Sequence, residues 1–144
     1  MEHLVDPREM FKEVRYVLAP GSFLALTTPN IASWHNRLCL AAGFVPLSYS
    51  PFENRRYGVP KVFRDGQIPR HLVVLNLQGL LELTSDMGFR VQKVWAFNGG
   101  FGKFGLLRKA LAHFTPLSLR ETLVVVAQTQ SNSRSYGIRP NEEG

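Results

Sequence analysis

The sequence predicts an α/β fold, and three observations carry that expectation. Amphipathic stretches at helical spacing alternate with short apolar runs bounded by glycine and proline, in the order helix, strand, long excursion, helix, strand, helix, strand. Hydrophobic residues make up 44% of the chain and aromatic residues 11%, enough to fill a core. No apolar run approaches the roughly 18 to 20 residues that a membrane span needs. At 144 residues the chain is one domain, or part of one. A complete domain near this size buries roughly 70% of its unfolded surface.

The first helix is expected over residues 7–18. Asp6 accepts from orphan N–H groups as N-cap, Pro7 suits the first helical position, and Glu9 closes a capping box. Met10, Phe11, Val14, Val17 and Leu18 recur on one face, and Pro20-Gly21 ends the helix. Phe23 to Thr28 is a nearly continuous apolar run, which reads as a strand covered on both faces and stopped by Pro29-Asn30.

Residues 31–70 are irregular. Ile31 to Ala42 forms a helix carrying Trp34, Leu38 and Leu40, and four prolines and several basic residues follow Gly43. An excursion this long inside a compact domain is usually functional. A second helix runs over residues 77–87, capped by Asn76, stopped by Gly88, and apolar at Leu77, Leu80, Leu81 and Thr84. Residues 88–97 alternate apolar with polar, as a strand with one wetter face does. A glycine-rich turn, a short amphipathic segment over 106–114 and a buried strand over 122–128 complete the pattern. Three strands are few for a sheet with helices on its faces. The unit therefore spans residues 1–129, with 31–70 as an insertion, and the polar, aperiodic residues 130–144 read as a disordered tail.

The formal charge of +6 admits an acidic partner. Its densest basic group is Arg55, Arg56, Lys61, Arg64 and Arg70, in a segment that also holds Glu53 and Asp65; a solvated loop face is the plain reading, because nucleic-acid binding requires clustering on one face. Cys39 is the single cysteine, so neither an internal disulfide nor a cysteine-rich zinc site can form. The first residues lack the basic and apolar regions of a signal peptide, and a cytoplasmic location is the simplest expectation.

Three blocks of the chain carry a family resemblance. Glu2-His3-Leu4 and Asp6-Pro7 lead into a helix ending Arg15, Val17-Leu18 and Pro20-Gly21. A strand ends Leu26-Thr27-Thr28-Pro29-Asn30. After the insertion come Arg70-His71-Leu72, a helix, then Gly88-Phe89 and Val91. In this order they resemble the C-terminal half of a class I S-adenosylmethionine (SAM)-dependent methyltransferase, over about residues 2–97 and 122–128. The resemblance implies a partial Rossmann-like sheet made of strands five, six and seven with flanking helices, and residues 31–70 as a substrate-facing insertion. Ser22 stands where a second glycine is common, and Asn76 where a threonine is usual.

In that family the cofactor lies beside strand one, against a glycine-rich turn and a ribose-binding carboxylate. Neither precedes these blocks here, and Met1 falls where the family has an ordinary strand residue. The expectation is thus a truncated or misassigned start, no cofactor-binding residues, and no SAM binding by this chain alone.

The resemblance places Glu2 and His3 at the strand-four tip. In ubiquinone O-methyltransferases and small-RNA 2′-O-methyltransferases a Glu-x-x-Glu-His group there holds a divalent metal, and only its last two members are present. Carboxylate and imidazole suit a cation that orients a hydroxyl. Frayed terminal residues without a role are the plain alternative. His71 is a candidate catalytic base or donor, as is His3, set against structural roles in a loop. Pro29, Asn30 and Trp34 follow a strand end, where small molecules bind in open α/β sheets, and Trp34 suits packing equally well. Gly100 to Gly105 spells GxGxxG, but the strand after it ends in Gln128-Thr129 rather than an acid, so it reads as a loop. His3, His35, His71 and His113 lie too far apart in sequence to support a metal site of their own.

Methyl transfer is largely the positioning of a methyl group about 3 Å from a nucleophile. This half would supply the substrate wall, with the substrate unspecified. The rival readings are an interaction module that pairs with a separate N-terminal half or with itself through an open sheet edge, and a basic nucleic-acid-binding fragment.

Overall fold

A computed structural model describes residues 1–64, 70–98 and 115–130. The expected segment over 106–114, the GxGxxG stretch, Asp65 and all of the expected tail after Gln130 lie outside them. Among the described residues no helix is long and apolar enough to cross a membrane.

Helix α1 spans Pro7–Val17, and Asp6 caps it by accepting from the Arg8 amide at 2.9 Å. Glu9, expected to close a capping box, instead pairs with Lys12 Nζ at 2.7 Å, since i,i+3 neighbours share a helix face. Strand β1 covers Phe23–Pro29. Helix α2 is shorter than expected, Trp34–Ala41, and it is anchored by a polar side chain. Asn36 is fully buried while Leu38 and Leu40 are exposed. A 3-10 turn at Lys61–Phe63 breaks the excursion. Helix α3 is Leu77–Asp86, and its cap Asn76 accepts from the Gly79 amide at 2.8 Å. Strand β2 is Phe89–Phe97 and strand β3 is Thr122–Thr129, with a 3-10 turn at Leu117–Leu119 before it.

The fold is α/β, built on a three-stranded sheet of order β1-β3-β2. Both hydrogen-bonded pairs are antiparallel: Leu26 lies opposite Val125 on one side, and Val94 opposite Val125 on the other. Among the described residues no two neighbouring strands are parallel, in contrast to a doubly wound sheet, because β3 inserts between β1 and β2. Gln92 sits at a bulge between Val91 and Lys93, which resets the register and turns β2.

Leu123, Val125 and Ala127 are alternate residues of β3 and define one sheet face. Phe11 of α1 and Leu80 of α3 join the same buried cluster, with Leu26, Phe89 and Ala96. The Phe11 and Phe89 rings meet edge to face at 5.7 Å. Both helices therefore cover one face. This corrects the expectation that β1 is buried on both sides: Leu26 and Thr28 point to the core, whereas Phe23 on the other face is 62% exposed. Trp95 and Phe97 of β2 lie on that outer face, with Lys93 Nζ 5.6 Å from the Trp95 ring. β3, between two strands, is the one buried almost throughout.

Candidate functional site

The segment before α1 does not dangle. The Leu72 amide donates to the Glu2 carbonyl at 2.7 Å, and Val73 donates to it at 3.3 Å. Ser50 and His71 form an antiparallel bridge, with the His71 amide donating to Ser50 O at 2.7 Å. Three remote stretches, 1–3, 48–50 and 70–73, are thus laced together by main-chain hydrogen bonds.

That lacing gathers Glu2, His3 and His71, whose ligand atoms all lie within 4.8 Å of one another. The two imidazole rings stand 5.0 Å apart, centroid to centroid. His3 Nδ1 lies 2.6 Å from Arg70 O, and His71 Nδ1 lies 3.0 Å from Ser48 O. A carbonyl oxygen only accepts, so each Nδ1 carries a proton, and in the neutral ring that leaves the lone pair on Nε2. Backbone carbonyls orient metal-binding histidines in this way. His3 Nε2 is 3.7 Å from Glu2 Oε1.

Burial alone would raise the Glu2 carboxyl, but hydrogen bonds from its own backbone amide and the Met1 ammonium, with the charges of that ammonium and of His3, hold it below its ordinary value. It is an anion at neutral pH. Glu2 and His71 are half-buried, and the His3 side chain is 53% exposed, which leaves one side of the cluster open to a ligand.

The donor set fits a divalent cation. Two imidazole nitrogens and one carboxylate are a common ligand set that leaves coordination positions open. Bond lengths near 2.0–2.2 Å require the three donors to close slightly on the ion. Sequence distance had argued against joining His3 with His71; the main-chain bridges override it. His35 does not belong to this group. Its Nδ1 lies 3.6 Å from Glu121 Oε1, and its Nε2 is 3.3 Å from Ser33 Oγ. His113 is outside the described residues.

Asn30 is 1% exposed and turned inward. Its Nδ2 donates to the carbonyls of Ser118 and Arg120, each at 2.8 Å, and its Oδ1 accepts from the Ala32 amide at 3.0 Å. Both amide hydrogens are spent, so this side chain positions the loops and has no donor left for a substrate. Pro29 is half-buried at the end of β1, opposite Thr122. Trp34 is half-buried, its ring edge-on to His35 at 5.7 Å.

Asn36 is a tie that the sequence did not reveal. Its Nδ2 donates to Asn30 O at 3.0 Å and to Ser48 Oγ at 2.5 Å, while the Ser48 amide donates to its Oδ1 at 3.3 Å. The end of β1 is thereby fixed to the stretch that orients His71. The only sequence signal was an asparagine inside a helix, where asparagine is a poor helix former.

Compared with known proteins, the sequence matches no family model and no characterised protein.

Proposed function

We propose that this chain forms the substrate-facing side of a class I SAM-dependent methyltransferase, with Glu2, His3 and His71 holding a divalent cation. The observation that carries the reading is their convergence, with the Nδ1 of each histidine held against a backbone carbonyl. The cation, when bound, supplies positive charge that orients and acidifies a substrate hydroxyl. Glu2 supplies the anion for it, Arg70 O and Ser48 O set the imidazole tautomers, and Asn36 keeps the Ser48 stretch in register with β1.

The sheet lends a second support. β1 and β2 are each antiparallel to β3, so they run parallel to one another, and the chain between them passes through α3. A parallel pair linked by a helical crossover is the unit from which open α/β sheets are built. Ligands in such sheets lie beyond the carboxyl ends of the strands, and Asn30, Trp34 and the 48–50 stretch follow the carboxyl end of β1.

Calorimetric titration with manganese and, separately, with SAM tests the reading. The chain binds Mn²⁺, and His71→Ala abolishes binding while circular dichroism stays unchanged. Failure of the native chain to bind Mn²⁺ removes the metal from the proposal. SAM is not bound by these residues alone, and a heat of SAM binding would overturn the division of labour between substrate side and cofactor side.

A second reading rests on β1. Among the described residues it is an edge strand with Phe23 exposed, and an unpaired edge accepts another strand. Pairing with a second chain, either a cofactor-binding half or another copy, follows from it. A monomer in light scattering at high concentration would remove self-pairing.

A further inference from the structure

The basic group in the excursion resolves into two kinds of side chain. Lys61 and Arg70 are exposed, and Arg55 lies with its guanidinium carbon 5.6 Å from the Tyr57 ring. Arg56 is drawn inward. Its Nη1 reaches Phe63 O at only 3.5 Å, and its Nε is buried with no hydrogen-bond partner among the described residues. Arg56 as a whole is half-buried, but a buried donor left unused is costly, because that N–H has given up water without replacing it. Burial lowers the Arg56 pKa from its ordinary value, yet an arginine stays protonated in a protein.

Arg56 lines a cavity of about 200 Å³ together with Tyr49, Ser50, Phe52 and Tyr57. A wider, more open cavity of about 500 Å³ shares Phe52 and Tyr57 and adds the oppositely charged Glu53 and Arg55. The Phe52 and Tyr57 rings meet edge to face at 5.5 Å, giving an aromatic wall common to both. The loop is held in shape from within: the Arg56 amide donates to Arg64 O at 2.8 Å, and Val45 donates to Gly58 O at 2.7 Å. Gly58 has φ +72°, and a Cβ there would strike Val45. The cavity also adjoins the candidate metal cluster, because Ser50 in its lining is the residue whose main chain pairs with His71.

We propose that the Arg56 cavity is a substrate subsite that takes an oxyanion, carboxylate or phosphate, carried on a ring that packs against Phe52 and Tyr57. The guanidinium fork, with Nε among its donors, matches a planar carboxylate or two phosphate oxygens. Aromatic faces supply the ring contact. This names the substrate class for the proposed methyltransferase and rests on that reading for the role of the ligand: a ring bearing both an anion and a hydroxyl would anchor the first at Arg56 and present the second towards Glu2, His3 and His71.

The probes are phenyl phosphate, benzoate, inorganic phosphate and phenol, followed by saturation-transfer NMR and calorimetry on the full chain. At least one of the two ring anions binds, at least tenfold more tightly than phenol and than inorganic phosphate; the ratio between phenyl phosphate and benzoate identifies the oxyanion. Arg56→Met reduces that binding at least tenfold. Arg56→Lys keeps the charge but not the fork, and it recovers only part of the affinity. Lys12→Met, on the exposed face of α1, changes nothing. Thermal melts of each variant establish that the fold is retained. Equal binding of phenol and the ring anions, or unaltered binding by folded Arg56→Met, overturns the subsite. Manganese titration runs in parallel and separates the two ideas. Ring-anion binding without Mn²⁺ binding keeps the pocket and sinks the metal-dependent reading, whereas Mn²⁺ binding without ring-anion binding does the reverse.

Discussion

His3 and His71 come from distant parts of the chain, yet their rings lie 5.0 Å apart, each with Nδ1 against a main-chain carbonyl. The pair is thus oriented by backbone rather than by other side chains. If a cation binds there, it binds the folded state alone, because the two histidines meet only when the 1–3 and 70–73 stretches are paired. A ligand at 100 times its Kd then stabilises the fold by about 2.7 kcal/mol. Melting with and without MnCl2 measures this, and EDTA reverses it. In His71→Ala the melting temperature becomes indifferent to manganese.

Asn30 and Asn36 are coupled through Asn36 Nδ2 and Asn30 O, so their contributions do not add. Asn30→Ala leaves the Ser118 and Arg120 carbonyls without their donor and costs about 2–3 kcal/mol. Asn36→Ala costs a similar amount. The double variant falls short of the sum, as urea unfolding of all four proteins would reveal. Strict additivity would mean that the two amides act independently.

Gly88 has φ +82°, and a Cβ there would run into the Arg15 guanidinium, whose Nη1 donates to Met87 O at 3.2 Å. The side chain of Arg15 can swing aside, so the backbone conformation sets most of the penalty. Gly88→Ala loses about 1–2 kcal/mol, the cost of placing an L-residue in the left-handed region. In an Arg15→Met background the loss is smaller, because the displaced hydrogen bond is already gone. Chemical denaturation of the four combinations checks the difference.

Asp6 is held at a pKa of about 2 by its hydrogen bonds with the Arg8 side chain and amide, aided by the charge of Arg8. The folded value lies below the unfolded one, so the stabilisation is complete above about pH 4 and fades as pH falls towards 2. Asp6→Asn should therefore melt lower than the native chain at pH 7 and converge with it in acid. A gap at pH 2 as large as the one at pH 7 would show that the carboxylate charge is irrelevant.

Much of the local structure is legible in the sequence because it depends on neighbours. Asp6-Pro7, Asn76 and Gly88 mark helix ends through chemistry confined to a few residues, and α1 and α3 fall within a residue or two of their expected bounds. The exposure of β1 departs from what its composition suggests. A run of apolar residues says that a strand has neighbours, not how many faces they cover, and both helices settle on the Leu123–Val125–Ala127 side. The candidate site was legible only in pieces. Glu2, His3 and His71 were each visible, whereas their meeting depends on Ser50, Leu72 and Val73 backbone groups that carry no side-chain signature. Asn36 and Arg56 were hidden for a related reason, since a polar side chain discloses nothing about its burial until the loop around it closes.

The strand that both others require is the last to be made. Among the described residues β1 and β2 bond to β3 and not to each other, so neither of these two ladders can form until β3 has been synthesised. Until Thr122–Thr129 clears the ribosome, β1 and β2 lack the partner they share and Phe11 lacks the β3 side of its packing. Such an order favours late, concerted assembly and makes a stalled or interrupted message a ready source of sticky intermediates.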